Sequence, residues 1–217
     1  MKTDNTTPVI YLVDDEFAIR DSLTLLIEST GQIVKSFESA EAFLADYNPE
    51  QIGCLLLDVR MPLMSGHELQ NELLSRGIHI PIIFISGHAD IPDAAQAFRA
   101  GAVDFLEKPF ANEVLLERID EAIKSDYIFR KESAKKHTIQ ERINHLTARE
   151  KEVLHLITAS HSNKEAAKKL HISNRTVDVH RASIMAKMQA ENITDLITMV
   201  IYCEPSGTNS LVSDVQL

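Results

Sequence analysis

Long hydrophobic runs are missing from this chain. None approaches the roughly 20 residues that a membrane span needs, and the longest, residues 78–86, is interrupted by His79 and Pro81. The first residues, Met1 to Pro8, are polar and form no apolar h-region, so no secretory signal is expected. Cysteine is scarce. Cys54 and Cys203 are too few for a disulfide framework, and a reducing cytoplasm is the simpler setting. Cys54 stands in an apolar run and reads as a small core hydrophobe. No internal repeat is present. What is there is ordinary for a soluble globular protein: 217 residues, 44% hydrophobic and 25% charged. That length suggests one or two domains.

The formal charge of −10 conceals two halves of opposite sign. Residues 1–124 carry 21 acidic and 9 basic side chains, a net of −12, while residues 125–203 carry 9 acidic and 13 basic, a net of +4. Two modules with different partners would produce this asymmetry, and the basic one could meet nucleic acid. Two solvated surfaces of opposite sign would produce it equally.

Short apolar runs alternate with segments of helical spacing over residues 9–124. Strands are expected at 9–13, 32–37, 54–57, 81–85 and 103–106, each followed by a helix, the last starting near Asn112. Five strands in this alternation predict a parallel, doubly wound α/β sheet of flavodoxin-like type covered on both faces. Residues 125–142 are mostly charged and read as a linker, either a helical extension or a solvated connector. Residues 143–203 read as a small all-α module of four helices. Thr147 with Glu150 and Ser162 with Glu165 form capping-box patterns, and Ser173 suits a helix N-cap. Residues 204–217 are polar, hold Pro205 and Gly207, and are expected to be a flexible tail.

Ligands of open α/β sheets bind outside the carboxyl ends of the strands. The polar residues at those predicted ends are Asp14 and Asp15, Asp58, Ser86 and Lys108. Three carboxylates converging on one edge repel one another and need a cation, and oxygen ligands of this kind suit Mg2+. Each residue alone is unremarkable, since most strand-end acids are solvated or cap helices and Lys-Pro is commonly a turn. Their joint placement is what points to chemistry: a carboxylate that attacks phosphorus, with a metal and a lysine to stabilise the transferring group.

These stretches resemble the receiver domain of response regulators. The resemblance rests on Leu12-Val-Asp-Asp-Glu16, Leu57-Asp-Val-Arg-Met-Pro-Leu-Met-Ser-Gly66, Ile85-Ser-Gly-His-Ala-Asp90 and Gly101-Ala-Val-Asp-Phe-Leu-Glu-Lys-Pro-Phe110. It implies that Asp58 accepts the phosphoryl group, and that Asp14, Asp15, Asp58 and the backbone carbonyl of Arg60 hold Mg2+. It also implies that Lys108 pairs with the phosphoryl group and that Ser86 and Phe105 are the switch residues. Arg60 and His88 fall where members vary and tune the lifetime of the phosphate.

The helices expected at 163–170 and 174–188, joined by His171-Ile-Ser173, fit a helix-turn-helix, although an apolar inner face would suit any small bundle. Leu146-Thr-Ala-Arg-Glu-Lys-Glu-Val-Leu154, Ser162-Asn-Lys-Glu165 and Ile172-Ser-Asn-Arg-Thr-Val-Asp-Val-His-Arg181 resemble the LuxR-type DNA-binding module. Joined to a receiver, the module makes the chain resemble the NarL/FixJ group, with receiver motifs nearest to FixJ-like members. By position, Lys164, Arg175, Thr176, His180, Arg181 and Lys187 are candidate phosphate contacts, while Asp178, Val179 and Ala182 are candidates to face base edges. Many members carry a glycine before the Ser-Asn-Lys-Glu run, where this chain has Ser160-His161.

The resemblance implies a cytoplasmic transcriptional regulator. A histidine kinase would phosphorylate Asp58, the receiver would form a homodimer, and the helical modules would bind promoter DNA and work with RNA polymerase. No membrane partner is expected, and no enzymatic activity beyond phosphotransfer and dephosphorylation at Asp58. Two rivals remain open on the residues: a receiver-controlled protein- or RNA-binding module, and a phosphatase with an aspartyl nucleophile. Phosphatases of the haloacid dehalogenase type place a second acid two residues after the nucleophile, where this chain has Arg60.

Overall fold

The structure, a computed structural model, describes residues 7–87 and 91–203. His88 and the tail at 204–217 lie outside the described residues. The chain divides into two units between Arg130 and Lys131.

The first unit alternates strands and helices: β1 Val9–Val13, α1 Phe17–Glu28, β2 Ile33–Phe37, α2 Ala40–Asp46, β3 Gly53–Asp58, α3 Gly66–Ser75, β4 Ile82–Ser86, α4 Ile91–Arg99 and β5 Asp104–Glu107. α5 follows as one helix, Asn112–Asn144. The strands pair in parallel in the order β2-β1-β3-β4-β5, the doubly wound sheet expected. Three strands start one residue later than expected, at Ile33, Ile82 and Asp104. At β4 the reason is Pro81, which has no N–H to give to a ladder.

Every residue of β1, β3 and β4 is buried, because side chains alternate between two faces and both faces are covered. Tyr11, Leu55, Leu57 and Phe84 pack with Phe43 of α2, Leu69 and Leu73 of α3 and Ala97 of α4. Ile10, Leu12, Leu56 and Ile83 pack on the opposite face with Leu23 and Ile27 of α1 and Leu115 and Ile119 of α5. Cys54 is fully buried in this second layer, as expected, and burial pushes its thiol pKa up.

The segment at 125–142 is helical throughout. Its first turns belong to the first unit, held by a charged clasp. Asp126 is fully buried, and its Oδ2 accepts from Gly53 N at 2.9 Å and from Arg130 Nε at 2.7 Å. Arg130 Nη1 donates in turn to Pro49 O at 2.7 Å.

The second unit holds α6 Ala148–Thr158, α7 Asn163–Leu170, α8 Asn174–Met188 and α9 Ile193–Cys203, the four helices expected. Both capping boxes form, and the Ser173 hydroxyl accepts from Thr176 N. Val153, Leu154, Val177, Ile184, Met188 and Leu196 make the core, with Ile139 from the last turns of α5 added to it. Among the described residues, no helix is long and apolar enough to cross a membrane.

Candidate functional site

The carboxyl ends of β1, β3, β4 and β5 lie side by side, so the residues that leave them share one edge of the sheet. Asp14 follows β1 and is 1% exposed; Asp58 ends β3 and is 9% exposed. Lys108, just past β5, reaches back between them, its Nζ 2.8 Å from Asp14 Oδ2 and 3.0 Å from Asp58 Oδ1. The remaining oxygens are also held: Asp14 Oδ1 accepts from Glu16 N at 2.9 Å, and Asp58 Oδ2 from Arg60 N at 2.7 Å.

Local structure aims these groups. Lys108 N donates to Ser86 O at 2.8 Å, which fixes the lysine backbone against the end of β4. Gly66 N donates to Val59 O at 3.0 Å, bringing the start of α3 onto the end of β3. A Cβ at Gly66 would stand 2.3 Å from Asp58 O, so only glycine permits this approach. Ser86 is buried at 2% exposure. Phe105 is half-buried opposite Phe84 in the β4–β5 register, their rings 6.2 Å apart. Asp15 is exposed and stands apart from the Asp14–Lys108–Asp58 contacts.

Burial raises the pKa of Asp58, opposed by the hydrogen bond and charge of Lys108 and by Arg60 N–H, and reinforced by the negative charge of Asp14. Burial works against charge on Lys108 too, but its hydrogen bonds to Asp14 and Asp58 prevail and its pKa rises. The result is an anionic oxygen at a sheet edge with a fixed ammonium beside it, which suits attack on phosphorus with compensation of the charge that moves. Among the described residues, no group of three or more His, Cys, Asp or Glu side chains forms a metal cage. Mg2+ does not need one, because it keeps several waters and takes one or two carboxylates. Two hard carboxylates at the carboxyl edge of the sheet therefore fit it.

In the second unit, α7 and α8 are joined through His171, a left-handed C-cap at φ 53°. Lys164, Arg175, Asp178, Val179 and Ala182 are exposed; Thr176, His180 and Arg181 are half-buried. Asn163 bridges the two helices, donating to Asp178 Oδ1 and accepting from Arg181 Nη1 at 2.7 Å. Lys187 is exposed, yet its Nζ lies 2.7 Å from Glu150 Oε2. Glu150 also accepts from Ser183 Oγ at 2.6 Å, so it joins α6 to α8 besides closing its capping box. Sequence reasoning found the box and missed the bridge. The available signal was Lys187 itself, a cation on the helix that packs against α6.

The family model for the response regulator receiver domain matches residues 10–120, and that for bacterial regulatory proteins of the luxR family matches residues 144–200. The response regulator protein TodT of Pseudomonas putida F1 is 46% identical over 189 residues, covering 87% of this chain and 83% of TodT. The transcriptional regulatory protein FixJ of Rhizobium meliloti strain 1021 is 42% identical over 196 residues, covering 90% of this chain and 96% of FixJ. Among solved structures, the response regulator StyR matches with a TM-score of 0.80 and 39% identity, covering 90% of this chain and 99% of StyR. Full-length FixJ from B. japonicum matches with a TM-score of 0.55 and 38% identity over 90% of this chain and 96% of that one.

Proposed function

The chain belongs to the NarL/FixJ family of two-component response regulators, transcription factors that join a receiver to a LuxR-type helix-turn-helix, and from that premise we propose that phosphorylation of Asp58 controls its binding to promoter DNA. The observation that carries this reading is the Lys108 ammonium held between the Asp14 and Asp58 carboxylates at 2.8 and 3.0 Å.

Receiver domains generally bind Mg2+ at the phosphorylation site. Asp14, Asp15, Asp58 and the carbonyl of Arg60 are the residues that would hold it here, and Asp15 would have to turn inward to take part. The ion supplies Lewis-acid compensation of phosphoryl charge. The Asp58 carboxylate attacks phosphorus on the phosphohistidine of a partner kinase. The P–N bond breaks, the histidine leaves with the electron pair, and an acyl phosphate forms at Asp58. Lys108, already placed against Asp58 Oδ1, pairs with the new phosphoryl oxygens. Water attack later releases phosphate and restores the carboxylate.

The phosphoryl group adds nearly two negative charges and three acceptor oxygens. Ser86 turns its hydroxyl towards them, Phe105 turns inward, and the face formed by α4 and β5 repacks. That face then pairs with a second copy. Two helix-turn-helix modules, residues 143–203 of each copy, bind two half-sites of promoter DNA and engage RNA polymerase in the cytoplasm. Lys164, Arg175, Thr176, His180, Arg181 and Lys187 supply phosphate contacts, and Asp178, Val179 and Ala182 face the bases.

Incubation with a small phosphodonor and Mg2+, followed by intact-mass measurement, tests the acceptor. One phosphoryl group is expected on the parent and none on Asp58→Asn. Equal incorporation by both chains would contradict the assignment.

A further inference from the structure

A charged contact between α3 and α4 plays no part in the mechanism above. His67, in the first turn of α3, has 12% of its side chain exposed, and both its ring nitrogens are buried without a hydrogen-bond partner. Its Nε2 lies 3.9 Å from Asp93 Oδ1, in the first turn of α4. The other oxygen of Asp93 lies 3.9 Å from Arg60 Nη2, two residues beyond Asp58. The imidazole also packs on Phe84, ring centroids 5.1 Å apart, and Phe84 stacks on Phe105.

Among the described residues, α4 has few other anchors. Of its side chains only Ala97 is buried, while Ile91 is 87% and Phe98 49% exposed. Gln70 Nε2 donates to Ala97 O at 3.1 Å and is uncharged. A helix held so lightly responds to a single charge pair.

We propose that His67 and Asp93 form a charge tether that holds the first turn of α4 against α3, making His67 a positioning residue that sets how readily phosphorylation at Asp58 displaces α4. The inference rests on the receiver reading given above. At 3.9 Å the pair is too long for a hydrogen bond, so what acts across it is electrostatic attraction. Among the described residues, the charged groups set against the pair are Asp93 from α4 and, beyond it, Arg60 from the loop after β3; Phe84 from β4 is neutral. Arg60 competes for Asp93 through its other oxygen.

The test is amide exchange of α4 in the full chain at one pH, with and without acetyl phosphate and Mg2+. Phosphate content is measured in the same samples, and the ratio of exchange with and without phosphodonor is taken. His67→Leu keeps the packing on Phe84 and should raise this ratio about two- to fivefold over the parent, the range expected of one partly exposed ion pair. His67→Lys, a permanent cation, should lower it, an opposite sign that a purely structural role would not give. Asp93→Asn, at a half-buried position, should match His67→Leu and serves if that variant does not fold. A parent that takes up phosphate but whose ratio is unaltered by these substitutions overturns the tether and leaves the receiver reading intact. A parent that takes up no phosphate overturns both.

Discussion

Glu150 is the residue on which the second unit is most sensitive to acid. Its carboxylate is held down to about 2, first by the hydrogen bond from Lys187, then by Ser183 and by the N–H of Thr147. The folded value lies below the ordinary 4.5, so this contribution is complete above about pH 4.5 and disappears as pH falls towards 2. It should amount to on the order of 2 kcal/mol, and Glu150→Gln should remove it. Chemical denaturation of the helical unit between pH 6 and pH 2.5 reads both effects; a variant that loses stability with acid as steeply as the parent would contradict the assignment. Ser160 offers the opposite case. It sits at φ 61°, and a left-handed residue with a Cβ is strained. After the entropy that glycine adds to the unfolded chain, Ser160→Gly should raise stability by about 0.5–1 kcal/mol, seen as a higher melting temperature. At this scale the meeting of Asp14, Asp58 and Lys108 was legible because each stands at the carboxyl end of a strand of one parallel sheet. The exposure of Asp15 was not, because adjacent residues leaving a strand point to opposite sides and the sequence does not say which is inward.

Among the elements, the caps were the most readable features. Thr147, Ser162 and Ser173 each accept the backbone N–H three residues on, because that donor has no partner inside the helix. α5 was the least readable. A run such as 125–142 has the same composition whether its charges face water or pair in a buried clasp. The sole hint was Asp126 four residues before Arg130, one helical turn apart. Asp126→Ala leaves Gly53 N–H and the Arg130 guanidinium without their partner, and should cost about 3–5 kcal/mol. Amide exchange should show the loss of protection concentrated in residues 124–130 and at Gly53. Uniform loss across the unit would mean that the clasp is not local. α4 escaped the sequence in another way. Its helical spacing was clear, but nothing in the spacing shows that Ala97 is its one buried side chain, which makes it an element a small charge can move.

At the scale of the whole molecule, the opposite charges of the two halves become two tasks. The acidic unit gathers carboxylates around one lysine, and the basic unit carries exposed cations on a helix-turn-helix. The logarithm of DNA affinity should fall linearly with the logarithm of salt concentration, and Lys164→Ala or Arg175→Ala should each lower the slope by about 1. Lys187→Ala should behave differently. Because Lys187 also binds Glu150, its loss should destabilise the unit as well as weaken binding. The most direct test of phosphorylation control is the affinity for promoter duplex DNA at fixed salt, measured with and without acetyl phosphate and Mg2+. The parent should bind more tightly with the phosphodonor, and Asp58→Asn should bind equally weakly in both conditions. Equal affinity of the parent with and without phosphate on Asp58, or a phosphodonor response that survives in Asp58→Asn, would contradict it.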